Sequence, residues 1–300
     1  MQKISGFTKL CLILMLAAFA TSCGNKTNEQ STSTARNALQ LNTLPDTTLD
    51  IVWKKTTRKV ILLPAHSLTC RGNILLLHGW NLSPSGWCEQ TSLCDSLRNA
   101  GFNIIIPDMG KSLYATRSYP ETMGTMAEQP LRSWLTDTVL VILSDSFQVF
   151  TKETKNFVVG LSTGARGAFA VGLDKADLFD GAVLLSGDYD QTRMSDDNIM
   201  TFFYGSYEEF PERWKGEDNL LKRAAEWKLP VYIGHAKQDP VVPCEQSELL
   251  YKALIKADNV KPESNFPSDF GHDYTYWESE SANILNFIRS ICDRELTSEK

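Results

Sequence analysis

Residues 158–167 read VVGLSTGARG. A β-branched run meets Gly160, Leu161, Ser162, Thr163 and Gly164, and small helix-forming residues follow. Two readings compete. Ser162 or Thr163 can serve as an N-cap, satisfying free N–H groups at the start of a helix. Alternatively, Ser162 sits at the corner where a strand turns abruptly into a helix. The corner residue then takes strained dihedrals, and the glycines two residues away let strand and helix approach. Its hydroxyl stands above the sheet, beside helix N–H groups that favour negative charge. G-x-S-x-G also recurs by chance, so the rest of the chain must decide.

Outward from this stretch, extended and helical segments alternate. Asp50 to Trp53 and Lys59 to Leu63 read as the strands of a hairpin. NILLL (73–77) is a buried apolar run ending in His78-Gly79, and Phe102 to Ile106 is another, closed by Pro107-Asp108. Residues 88–99 suit one helix stopped by Gly101, and residues 131–150 carry a helical apolar stripe. Downstream, Gly181 to Leu185 and Val231 to Ile233 read as strands, with helices near 244–257 and 278–293. Short apolar strands separated by helices predict an α/β fold with a mostly parallel central sheet and helices on both faces. Ligands in such folds bind beyond the carboxyl ends of the strands. His78, Asp108, Ser162, Asp188 and Asp239 all fall at or just past a predicted strand end.

A serine hydroxyl needs a base, and the chain has four histidines. His66 lies beside Pro64 in a turn, and His78 suits a structural role at a strand end. His235, four residues before Asp239, is a candidate pocket residue. His272, in SDFGHDYTYWE ahead of the final helix, is the best base on chain order. Asp239, in VYIGHAKQDPVVP, can accept the histidine N–H and stabilise the imidazolium; an Asp-Pro turn without a catalytic part is the plain alternative. Asp188 is the rival acid. For the developing oxyanion, the backbone N–H groups of Thr163 and Trp80 are the expected donors.

HGW after the NILLL strand, GLSTG, the Asp239 loop and GHDYTYW together resemble the α/β-hydrolase superfamily over residues 55–293. The resemblance implies the α/β-hydrolase fold, a nucleophilic serine, an acid after the penultimate strand and a base after the last one, with no metal or organic cofactor. Serine-dependent esterases, including feruloyl- and esterase-D-like enzymes, are the nearest in kind. Dehalogenases and epoxide hydrolases would have Asp where this chain has Ser162. In one respect the chain departs from the pattern: NVKPESNFPSDFG, before His272, has two prolines and few β-formers.

The expected activity is carboxylic ester hydrolysis through Ser162, His272 and Asp239, on a small-molecule or glycan-linked ester. A serine peptidase on the same triad and a non-catalytic surface binding lipoprotein are the alternatives. Residues 187–229 form an aromatic-rich insertion before the penultimate strand, with Phe203 and Tyr204 among its rings. Such rings line a substrate pocket or make a small satellite core with equal ease. Asp108, Phe203, Tyr204 and His235 are the candidate substrate contacts.

The first 22 residues read as a signal peptide: lysines, then the apolar stretch LCLILMLAAFA, too short to span a bilayer. Cleavage after Ala18-Phe19-Ala20 would release a soluble protein. ATSC instead resembles a bacterial lipoprotein box, in which Cys23 becomes the lipidated first residue. Residues 23–45 then form a polar tether of roughly 25 Å root-mean-square reach, and the hydrolase domain occupies 46–300. The expected location is periplasmic or attached to the outer membrane. A net charge of −6 with no basic run gives nucleic acid no electrostatic foothold. The cysteines outside the leader permit disulfides in an exported protein but do not reveal their connectivity.

Overall fold

The computed structural model describes residues 41–67, 71–123 and 131–298. The expected leader, Cys23 and most of the expected tether lie outside these, as does Cys70. The packed domain reaches back beyond residue 46. Leu41 is buried in the main core and Leu44 packs against it; these leucines are apolar anchors in an otherwise polar stretch.

The strands are β1 (Thr47–Trp53), β2 (Thr56–Leu63), β3 (Gly72–Leu77), β4 (Phe102–Pro107), β5 (Asn156–Leu161), β6 (Gly181–Leu185), β7 (Val231–Gly234) and β8 (Glu263–Asn265). They form one eight-stranded sheet in the order β1-β2-β4-β3-β5-β6-β7-β8. β2 runs antiparallel to both of its neighbours, and every pairing from β4 to β8 is parallel.

The central strands read as continuous apolar runs because both faces are covered. Along each, side chains alternate between two cores. Leu75, Leu77, Ile105, Val158, Ala182, Leu184 and Ile233 point into one. Ile74, Leu76, Ile104, Ile106, Val159, Val183 and Leu185 point into the other. A slip of one residue would exchange the faces of a whole strand, so β3 is held tightly with Ile74 opposite Ile104 and Phe157.

Three elements differ from the sequence expectation. The helix expected over 88–99 is two, Gly86–Gln90 and Leu93–Asn99. Ser92 breaks it by giving its N–H and hydroxyl to Glu278, and the Cys88–Cys94 disulfide joins the halves. The 131–150 helix passes through a π turn at Leu135–Val139 and stops at Gln148 in the left-handed region. The last strand exists but is short. β8 is an exposed edge, which needs no apolar face, and Pro262 and Pro267 bracket it.

The insertion is mainly a satellite core. Phe203, Tyr204 and Trp214 are buried with Leu113, Met194 and Met200, and Trp80, Tyr119 and Tyr207 pack on the cluster. Trp227 belongs to the main core, stacked on Phe169 with centroids 4.5 Å apart.

Candidate active site

Ser162 stands between β5 and the helix Thr163–Asp174 with φ 55° and ψ −130°. A non-glycine residue there carries about 1–3 kcal/mol of strain, held in place by its surroundings. Its N–H donates to the Leu185 carbonyl at 2.8 Å, pinning the corner to β6. The side chain makes no capping bond. The two glycines are required by close approach. A β-carbon on Gly160 would overlap the backbone of Gly164, and one on Gly164 would overlap the carbonyls of Leu77 and His78.

The hydroxyl turns to His272. Ser162 Oγ lies 2.9 Å from His272 Nε2, and His272 Nδ1 lies 2.6 Å from Asp239 Oδ2. A carboxylate only accepts, so Nδ1 carries the proton and Nε2 receives the serine O–H. His272 is placed by the next residue: the Asp273 carboxylate caps the helix Tyr274–Ser279 through the N–H groups of Thr275 and Tyr276. Trp277 from that helix meets the imidazole edge-on at 5.3 Å, while its indole N–H donates to Ser186 Oγ.

Asp239 follows β7 in a loop whose backbone turns back on the carboxylate. Val241 and Val242 N–H both donate to Oδ1 at 2.8 Å. Burial alone would raise its pKa. Hydrogen bonds from His235 and His272, the charge of His272 and the Val242 N–H outweigh it and hold the carboxyl well below the usual range.

Gly79 lies against Ser162, where a β-carbon would come within 2.9 Å of the serine Cβ. Among the described residues, neither the Trp80 nor the Thr163 N–H has an acceptor; Thr163 follows the serine in the chain, and Trp80 follows Gly79, which lies against it. The loop carrying Trp80 is held by hydrogen bonds of its neighbours. His78 Nδ1–H donates to the Gly79 carbonyl at 2.8 Å, and Nε2 accepts the Met109 N–H at 2.9 Å. Burial lowers the pKa of this ring, which suits the neutral form those two bonds require. Tyr114 adds its hydroxyl to the His78 carbonyl, and Asn81 N–H donates to Gly110.

The remaining candidates divide. Asp108 keeps a carboxylate 39 % exposed past β4, 3.9 Å from His78. Phe203 and Tyr204 lie in the satellite core and not on an open surface: both are buried, and the Tyr204 hydroxyl oxygen accepts from Arg166. His235 is not a pocket residue either. Its side chain is fully buried beside Asp239, and its backbone N–H donates to the Asn265 carbonyl just past β7. His66 is on the surface against Asn99. Asp188 is engaged by Arg166 at 2.6 Å, which leaves Asp239 as the acid on His272.

Arg166 is a residue that sequence reasoning passes over. It lies one turn past Ser162, 1 % exposed, and holds Asp188, Gln191, Tyr204 and the Asp218 carbonyl. The available signal is a lone charge within ARGAFAVGL, a helix otherwise small and apolar.

A family model, the prolyl oligopeptidase family, matches residues 95–293 of the 300. No curated protein matches the chain. Among solved structures, the fluorophosphonate-binding serine hydrolase F of Staphylococcus aureus is 19% identical with a TM-score of 0.63, covering 82% of this chain and 97% of that one. An S-formylglutathione hydrolase from Agrobacterium tumefaciens is 12% identical, with a TM-score of 0.66 and coverage of 82% and 94%. A ferulic acid esterase is 16% identical, with a TM-score of 0.58 and coverage of 81% and 97%. These likenesses establish the α/β-hydrolase fold.

Proposed function

The chain belongs to the prolyl oligopeptidase family of α/β-hydrolase-fold serine hydrolases, and from that premise we propose that it hydrolyses carboxylic esters through an acyl-enzyme. The observation that carries this reading is the hydrogen-bonded line from Ser162 Oγ through His272 to Asp239. Ser162 Oγ attacks the ester carbonyl as His272 Nε2 takes its proton. The Thr163 and Trp80 N–H groups receive the oxyanion, and Asp239 stabilises the imidazolium. His272 then gives the proton to the leaving alcohol. Water, deprotonated by the same imidazole, attacks the acyl carbonyl and frees Ser162. Asp108, exposed past β4, is the candidate substrate contact that stays in the proposal.

Neighbours described as a formylglutathione hydrolase and a ferulic acid esterase favour oxygen- or sulfur-linked acyl groups. The family match favours a second reading, peptide or amide cleavage on the same residues. A fluorophosphonate probe should label Ser162, and aryl esters should turn over faster than aminoacyl amides. An unlabelled serine in folded protein points to the binding-lipoprotein reading, and amide turnover above ester turnover points to a peptidase.

We also propose export and lipid anchoring through Cys23, with a small-molecule or glycan-linked ester as substrate. The Cys88–Cys94 disulfide supports an oxidising compartment. Among the described residues no helix is long and apolar enough to cross a membrane, so attachment would rest on the lipid. Expressed in a bacterium fed an alkyne fatty acid, the protein should acquire the label and sediment with membranes, and Cys23→Ala should lose both. Label-free protein beginning just after Ala20 would instead mark ordinary signal cleavage.

A further inference from the structure

His235 has a place that neither the fold nor the reaction scheme so far accounts for. Its ring has no exposed surface. Nε2 lies 2.9 Å from the Val242 carbonyl and 3.2 Å from Asp239 Oδ2. Both partners are acceptors, so Nε2 carries a proton and shares it between them. On the other side, Nδ1 lies 2.7 Å from Ser247 Oγ, in position to accept that hydroxyl's proton. The ring thus completes its hydrogen bonding in one tautomer.

From the side of Asp239, the arrangement is saturated. Oδ1 accepts Val241 and Val242 N–H, Oδ2 accepts His272 Nδ1–H, and His235 Nε2 stands 3.2 Å from the same Oδ2. A carboxylate offers about four lone-pair sites; three are filled by these hydrogen bonds, and His235 Nε2–H stands at the fourth. Two histidines therefore compete for one oxygen, one facing the serine and one facing the interior. Val242 donates to Asp239 and accepts from His235, so the same ring also closes the 239–242 turn.

We propose that His235 is a positioning residue for the reaction assigned to Ser162, a neutral N–H donor that fixes Asp239 and limits how strongly it draws the proton of His272. The inference rests on the serine-hydrolase reading for its kinetic consequence and on geometry alone for its tautomer. Without the His235 donor, the negative charge of Asp239 is shared among fewer protons and falls more on His272. The imidazolium is then stabilised, and the base is protonated over a wider acid range.

Other groups facing the pair do not blur this reading. Tyr189 faces Ser247 from beyond β6, and Tyr276 approaches Gly234 from its helix; burial first of all pushes both phenols up. Cys244 Sγ lies 3.9 Å from the His235 carbonyl, and burial pushes its thiol up to about 11. Lys237 is exposed, and Asp273 is spent on its helix cap.

The first measurement uses the native protein and needs no activity. Nitrogen-15 NMR should find His235 protonated on Nε2 alone. A proton on Nδ1 with Nε2 bare overturns the proposal. The second compares His235→Phe with His235→Gln, whose amide nitrogen can stand where Nε2 stood. His235→Phe should lower kcat/KM about tenfold and move its acid limb up by about one pH unit, the effect of losing one charge-assisted bond. His235→Gln should restore most of both. A rate loss with an unmoved limb, unrescued by Gln, reduces His235 to packing and overturns the proposal. If the native protein cleaves no ester or amide, the hydrolase reading fails while the tautomer result still stands or falls alone.

Discussion

Ser162→Ala should lower kcat for ester hydrolysis by a factor on the order of 10⁶, with the fold retained. The change removes one oxygen whose only hydrogen bond among the described residues is to His272 at 2.9 Å. It leaves a residue that can occupy the same corner, held by the Leu185 carbonyl and the glycine contacts. Fluorophosphonate labelling should vanish with the activity. Because the three side chains form a single relay, Ser162→Ala combined with Asp239→Asn should be no slower than Ser162→Ala alone. Residual turnover then comes from the Trp80 and Thr163 amides and from binding. A Ser162→Ala protein that keeps more than a hundredth of the native rate would mean that another group is the nucleophile.

The central site is legible in the sequence because its chemistry limits the residue types. A serine flanked by glycines after an apolar strand admits few geometries, and four histidines leave a short search for its base. Parallel strands buried on both faces announce themselves as NILLL, FNIII and GAVLL. What escapes is whatever lacks a periodic or compositional demand. β8 is an exposed edge, so its side chains need no pattern. Ser92 ends a helix through Glu278, a partner 186 positions away. The aromatics of 187–229 show the same limit in another form. Pocket and core use the same rings, and only burial of Phe203 and Tyr204 assigns them to the core. His235 sits four residues before Asp239, and nothing local tells whether it faces substrate or the back of the carboxylate.

Arg166→Met should cost about 3–5 kcal/mol in urea unfolding. The guanidinium is buried and always charged, and its position is costly unless every neighbour serves it. Burial disfavours the charge, but Tyr204, Asp188 and Asp218 more than offset it and raise the Arg166 pKa. Nη1 meets Asp188 Oδ2 at 2.6 Å, and Nη2 reaches Gln191, Tyr204 and the Asp218 carbonyl. These partners come from the loop after β6 and from the insertion, so one side chain fastens the insertion to the helix that begins at Ser162. The network extends outward: Asp218 accepts the Thr116 N–H and faces Arg132, which pairs with Asp174 through two bonds of 2.6 Å. Methionine fills much of the volume but strands Asp188 as an unpaired buried carboxylate. The loss is therefore one of compensation more than of packing. That distinction can be read in a double-mutant cycle. Arg166→Met with Asp188→Leu should recover at least half of the lost stability, since the orphaned charge goes with its partner. Labelling of Ser162 in the double variant should persist, because Asp188 takes no part in the relay through Asp239. A single-variant cost below about 1 kcal/mol, or a double variant less stable than the single, would show that this ion pair does not hold the insertion in place.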